Sequence, residues 1–449
     1  MEAAENGLTR KELLRLGLLG GAAMVPLGGA ALGGGSAILA RLSDRLPESR
    51  IPRPFQVPFT VPPVAQPVRV GSDGTRFYQL TMRRVFAPIL PGFPRTEIYG
   101  YDGISPGPTI AAGRGDVVIR HINRLPRTSR FGHVNATSVH LHGMATKPAY
   151  DGWADDLTAP GQYKDYVYLN TQRQRLLWYH DHAVHLTALN TYMGLAGFYL
   201  HDPDDVPPGA VAKLPRGRYM VPLMIGDKIF SKDGQLIFDD EGESSLFGDV
   251  ILVNGRPWPV MRVERRKYTL GFLNASNSRA FNLALSSGDP FISVAHDSGL
   301  GVAPVEVESF RLGMAERYAM IVDFAKHRVG DQIVLEKREL RNNDDFPSTR
   351  RIMRFDVVSD ATDTRNNGIP EILVPTPATP ASPTTPCRSR SRRRCGPASS
   401  GSSATADCGP STAGPGRTAG CGRVPVTTTW RSGSSPTTPA AGHTRSTST

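Results

Sequence analysis

The sequence predicts an all-β chain: β-sandwiches in tandem, followed by a disordered tail. Three observations predict this. Short runs of alternating apolar and polar residues fill the stretch from about Val68 to Ser359, with Gly, Pro and Asp breaking them at short intervals. None of those runs carries a long helical period. Beyond Asp360 the alternation stops and the chain becomes rich in Arg, Ser, Thr, Pro, Gly and Ala.

In chain order, residues 1–41 read as an export signal of the twin-arginine type. Arg10-Lys11 precedes an uncharged run from Leu16 to Ala40, although Lys11 stands where a second arginine belongs. The run is dense in Gly and Ala, which makes it a poor membrane helix, so no stable membrane association beyond export is expected. Localisation is therefore expected to be periplasmic or extracellular. Residues 42–67, with IPRPFQVPFTVPPVAQPVRV, cannot be helical and read as an extended arm. Residues 68–203 form the first sandwich, written RFYQLTMRRVF, DVVIRHINRL, SVHLHG, YKDYVYLN, LLWYHDH and GFYLHD. After a Pro- and Asp-rich linker, residues 213–359 form the second, with YMVPLMIGDK, DVILVNG, RKYTLGFLNA, FNLALSS, FISVAHD, YAMIVDF and DQIVLEK. Residues 360–449 are the low-complexity tail; from Cys387 on it has no Leu, Ile, Met, Phe or Tyr with which to build a core.

The net charge of +11 would ordinarily suggest a nucleic-acid partner. Its distribution excludes that for the body, because Cys387–Thr449 alone holds nine arginines against the single acid Asp407 and so carries +8 of the total. All four cysteines, Cys387, Cys395, Cys408 and Cys421, also lie in the tail, which excludes a disulfide framework for the body.

The chemistry sits in two histidine pairs. On a strand, successive side chains alternate faces, so His140 and His142 share one face, and so do His180 and His182 if their segment is extended. Two neighbouring strands could then present four imidazoles to one point. Imidazole suits copper, zinc, iron and nickel alike, so the residues alone do not choose the metal. His185, His201 and His296 match no ligand pattern.

HLHG at His140–Gly143 followed by LLWYHDH at Leu176–His182 resembles the first-domain copper motifs of the multicopper oxidases, the group of laccases, bilirubin oxidases and phenoxazinone synthases. SPGPTI with GDVV (Ser105–Val118), LNTYMGLAGFYLHDP (Leu189–Pro203), GDVILVNGRPWP and FLNASNSRAF extend the likeness over residues 70–358. The resemblance implies cupredoxin-like Greek-key sandwiches and copper as cofactor. It implies that His140 binds the type 2 copper and that His142, His180 and His182 bind the type 3 pair. By the same likeness Asp151 is the acid that manages protons during oxygen reduction. The implied reaction oxidises a phenolic or aminophenolic small molecule and reduces oxygen to water. Eleven scattered methionines with no methionine-rich insert favour an organic reductant over cuprous ions.

The chain departs from the family in lacking the third-domain HPxHxH and HCH segments, hence the type 1 ligands. The tail offers an explanation in the genetic code, because a shifted frame keeps two nucleotides of each neighbouring codon. Shifted by one frame, GHTRSTST at the end of the chain is compatible with SHPVHIH, TTTWRSGSSPTTPAAG with VEIWEFANDTGGW, and DCGPSTAG with LWTINGR. The expectation is a third domain written out of frame and a chain inactive as it stands. The rival expectation is a non-catalytic cupredoxin-fold periplasmic scaffold; a two-domain nitrite reductase would need a body cysteine, and none exists.

Overall fold

The structure is a computed structural model, and it describes residues 44–172, 174–201, 212–238, 245–341 and 343–374. The signal-like segment and nearly all of the tail, with its out-of-frame reading, lie outside the described residues. Among the described residues no helix is long and apolar enough to cross a membrane.

The first sandwich takes its strands from residues 69–201. One sheet holds β1 (Arg69–Val70), β2 (Arg76–Ala87), β5 (Val117–Arg124) and β7 (Tyr163–Tyr168) in that order, with β3 (Thr96–Tyr101) also on β2. The facing sheet runs β4 (Gly107–Ala112), β9 (Ala196–His201), β8 (Arg175–Asp181), β6 (Val139–His142). Strand β5 shows why the sequence folds this way: Val117, Ile119, His121 and Asn123 point inward, while the residues between them are partly exposed. From the opposite sheet, Leu141, Leu177, Tyr179 and Tyr199 meet Tyr78, Leu80 and Met82 of β2 in the same core. The period of two read from the sequence is thus the inside–outside alternation of packed sheets.

The second sandwich occupies residues 220–360. Its larger sheet runs β12 (Arg256–Pro257), β11 (Val250–Val253), β10 (Met220–Lys228), β14 (Lys267–Asn274), β19 (Arg317–Asp323), β16 (Phe291–His296), β17 (Gly299–Val307). The smaller runs β13 (Val260–Arg265), β21 (Arg351–Asp360), β20 (Gln332–Lys337), β15 (Phe281–Leu285), β18 (Phe310–Leu312). Parallel pairs β2–β5, β4–β9, β10–β14 and β13–β21 sit among antiparallel ones, so the chain crosses between sheets rather than meandering. The fold is all-β and cupredoxin-like.

The proline-rich arm ties the two sandwiches together. Phe55 and Phe59 donate backbone hydrogen bonds to Trp258 and Val260 of the second sandwich, and Ala65 donates to Thr109 of the first. The prolines at 54, 58 and 63 have no N–H to lose, so the arm pairs through the residues between them. Apolar side chains seal the boundary further on: Leu176, Trp178 and Phe198 from the outer face of the β4–β6 sheet pack with Met224 and Leu273. A short α-helix, α1 (Thr187–Met193), follows the second histidine pair, burying Leu189, Asn190, Tyr192 and Met193 and ending at Gly194, whose φ of 122° closes it.

Candidate metal centre

Strands β6 and β8 run antiparallel with His140 opposite His180 and His142 opposite Trp178. Val139 and Leu141 fill the core, which leaves His140 and His142 on the outer face beside His180. The ring nitrogens of His140, His142 and His180 lie within 4.8 Å of one another. Nδ1 of His142 and Nε2 of His180 are 3.3 Å apart. With a metal–nitrogen bond of about 2.0–2.1 Å, that spacing subtends roughly 105–110° at a shared ion, close to tetrahedral. The site therefore fits a transition metal on its donor chemistry and its spacing.

Two of the three rings are aimed by backbone carbonyls. Nδ1–H of His140 donates to the Asp151 carbonyl at 2.5 Å, and Nδ1–H of His180 donates to the Asp181 carbonyl at 2.8 Å. A carbonyl only accepts, so both rings are fixed in the tautomer that leaves Nε2 a lone pair. Trp178 stacks on His180 at 4.0 Å between ring centroids and lies against His142 as well. Gly152 makes the Asp151 contact possible: its φ is 73°, and a Cβ there would run into the Val139 carbonyl.

Electrostatics favours neutral imidazoles. Burial is the largest cause lowering the His140, His142 and His180 pKa values; His142 falls to about 4, helped by the positive charge of Arg317. Neutral rings need shed no proton before binding a metal near pH 7. Arg317 belongs to β19 of the second sandwich. It donates to the Leu176 and Ala315 carbonyls, pairs with Asp297 at 2.7 Å, and abuts Gly143 at the end of HLHG.

His182 departs from the arrangement expected of an extended HDH. Strand β8 ends at Asp181, so His182 falls beyond it, is exposed, and is not in the group of three, although its ring centroid lies 5.3 Å from that of His140. The reason is Asp181 itself. Its buried carboxylate accepts from the backbone N–H of Ser138 and Ala183 and from the Asn190 side chain, turning the chain out of the strand. Burial lifts its pKa to about 6 in spite of those bonds. Asp151 has its carboxylate Oδ1 3.5 Å from His140 Nδ1 and is partly exposed. Of the three unmatched histidines, His201 is buried and donates to the Gln172 carbonyl, while His185 and His296 are exposed.

Sequence reasoning missed Asp181, Arg317 and His121. The middle position of HDH was the available sign for Asp181. Nothing local marks Arg317, whose role depends on a contact between sandwiches. His121 is buried in the first core among Tyr101, Tyr166 and Tyr179, and neither of its ring nitrogens has a partner among the described residues.

Residues 88–205, the stretch that holds every element of this site except Arg317, match the multicopper oxidase family model. The bilirubin oxidase of Albifimbria verrucaria is 38% identical over 358 residues, which is 74% of this chain and 59% of that protein. The laccase of Bacillus subtilis strain 168 is 36% identical over 334 residues, 66% of this chain and 64% of that one. The chain thus spans about three-fifths of the length of these curated relatives. Among solved structures, a laccase from Pediococcus acidilactici superposes with a TM-score of 0.63 at 25% identity, covering 75% of this chain and 68% of its own. A variant of the McoA multicopper oxidase from Aquifex aeolicus gives 0.62 at 27% identity, covering 72% and 69%. The matched model, these relatives and the shared fold all point one way, and residues 88–205 carry a multicopper oxidase domain.

Proposed function

We propose that this chain supplies part of the copper centre of an oxidase that takes electrons from small phenolic or aminophenolic molecules and passes them to oxygen. The observation that carries the proposal is the convergence of His140, His142 and His180, with the rings of His140 and His180 turned by backbone carbonyls to offer Nε2. By the family likeness, His140 would hold the type 2 copper and His142, His180 and His182 the type 3 pair. Copper bound there supplies one-electron redox chemistry and a site for oxygen.

The protein's own residues do the rest. Backbone carbonyls of residues 151 and 181 orient the imidazoles, Trp178 and the second sandwich exclude water from His180, and Arg317 disfavours protonation of His142. Asp151, with its carboxylate beside His140 and open to solvent, is placed to carry protons to and from the site. A type 1 centre needs a cysteine thiolate, and no cysteine occurs before Cys387. We propose that the missing ligands are encoded in the shifted frame of the tail, that the chain as written has no oxidase turnover, and that the protein is exported.

The test expresses the 449-residue chain and a frame-corrected version with copper, and follows oxygen uptake with a phenolic reductant and the visible absorption of a type 1 centre. Turnover and colour are expected only after correction. Copper-dependent turnover by the uncorrected chain would overturn the proposal; a corrected protein that folds without copper would support the scaffold reading.

A further inference from the structure

A second site lies away from the histidines. Where the proline-rich arm and the two sandwiches meet, there is a cavity of about 390 Å³, within the range of roughly 300–1,000 Å³ usual for small-molecule sites. Val61 of the arm, Phe86 and Ile98 of the first sandwich, Met193 at the end of α1, and Leu252 of the second give it apolar walls. Three cationic side chains also line it, Arg95, Lys228 and Arg256, and no carboxylate does.

Among the described residues no carboxylate forms an ion pair with any of the three. Arg95 donates to the Phe86 carbonyl at 3.0 Å, Arg256 to the Pro88 carbonyl at 3.3 Å, and Lys228 to the Tyr192 carbonyl at 2.7 Å, with its ammonium 3.9 Å from the Tyr192 ring. Nε of Arg256 is buried with no partner among the described residues. The acid next to Lys228 in sequence, Asp227, is engaged elsewhere, accepting from Arg279 and from the Gly248 N–H. Burial pulls the Lys228 pKa down to about 7 against the raising effect of the nearby Asp227 charge. The ammonium of Lys228 and the idle Nε–H of Arg256, beside apolar walls, are together complementary to an anion carrying an apolar body.

We propose that this cavity binds a small amphipathic monocarboxylate, its apolar body against the walls and its carboxylate on the cationic side chains, Arg256 foremost. Because arm and both sandwiches contribute walls, the ligand would hold all three together and raise the unfolding temperature with its concentration.

The probe is 3-phenylpropanoate, titrated into the full chain by calorimetry and followed by thermal unfolding. Two companions separate its parts: 3-phenyl-1-propanol keeps the body without the charge, and acetate keeps the charge without the body. Saturable one-site binding is expected for the acid, and weaker by about tenfold or more for each companion, the discrimination expected of a charge-assisted hydrogen bond and of a buried ring. Arg256→Gln and Lys228→Met should each weaken the acid by about tenfold, with an unchanged circular dichroism spectrum reporting the fold. Val61→Trp keeps every charge, alters a position that is largely exposed, and should block the cavity by volume. Equal binding of the acid and the alcohol, wild-type affinity in Arg256→Gln or in Val61→Trp, or no saturable binding of the acid would each overturn the proposal. None of these readouts depends on copper.

Discussion

His121 is a buried base whose ring nitrogens have no hydrogen-bond partner among the described residues. It sits on the inward side of β5 with Tyr101, Tyr166 and Tyr179 around it, and burial drives its pKa from 6.5 to about 3, opposed by the charge of Asp165 on the neighbouring β7. The folded state therefore keeps the ring neutral while the unfolded chain protonates it. The stability tied to that neutrality is fully present above pH 6.5, erodes as the pH falls below it, and is lost by about pH 3. Lowering the pH from about 7.5 to about 4.5 lets the unfolded ring bind a proton roughly a hundred to one, which costs on the order of 2.7 kcal/mol at 1.36 kcal/mol per pKa unit. The assay is urea unfolding of the copper-free chain and of His121→Leu at both pH values, read by near-ultraviolet circular dichroism of the surrounding tyrosines. Other titrating groups are common to both proteins and cancel in the difference. Wild type should lose about 2–3 kcal/mol more than the variant on acidification. At the higher pH the variant should be as stable or more so, because removing both unpaired nitrogens relieves their desolvation. Identical pH dependence in the two proteins would refute the reasoning.

Four further outcomes are expected. Replacing His140, His142 or His180 with Ala should each lower copper affinity by about tenfold or more in calorimetry, while His296→Ala, on an exposed strand end, leaves it unchanged. Arg279→Leu leaves the buried Asp227 carboxylate without its cation, while Asp345 keeps Lys337, and should cost about 3–5 kcal/mol in urea unfolding. Arg317→Leu removes the donors to Leu176 and Ala315 and the partner of Asp297; it should weaken copper binding along with stability, and Arg317→Lys should restore only part of either. In the frame-corrected protein, Asp151→Asn should slow oxygen reduction by about a hundredfold with copper content unchanged, as loss of a proton-transferring group does; a full-speed variant would remove Asp151 from the mechanism.

Much of the site was legible because its signals are local. His140 and His142 are two residues apart on a strand, and a strand has only two faces, so their common orientation follows from spacing once Val139 and Leu141 are seen to be core. The same period, read through Val117, Ile119 and Asn123, located β5 and the core it faces. What was not legible depends on partners far along the chain. His121 looks like one more polar letter in an alternating run until the tyrosines of β3, β7 and β8 are assembled around it. Arg317 lies 174 residues beyond Gly143, against which its guanidinium sits. His182 was expected on the strand with His180, but strand propensity yielded to Asp181, whose carboxylate captures the N–H groups of Ser138 and Ala183 and ends β8 one residue early. Helix α1 went unread because its seven residues are shorter than any convincing helical period.

The four histidines are not equally built, and the difference follows from which side of the β6–β8 face is covered. His180 is buried, stacked by Trp178, and backed by the apolar seam with Met224 and Leu273; His140 and His142 are half-buried; His182 is exposed. The rings of His140 and His180 are nevertheless oriented by carbonyls that owe nothing to a metal, and the neutral state of three rings is enforced by burial. Such a face spends little on ordering when a metal arrives, since the tautomers and ring planes are already set. Its weakness is coordination number. Three converging imidazoles leave a transition ion with open positions, and a second ion would have fewer protein ligands still. The exposed His182, with its ring centroid 5.3 Å from that of His140, stands on the less covered side of this face.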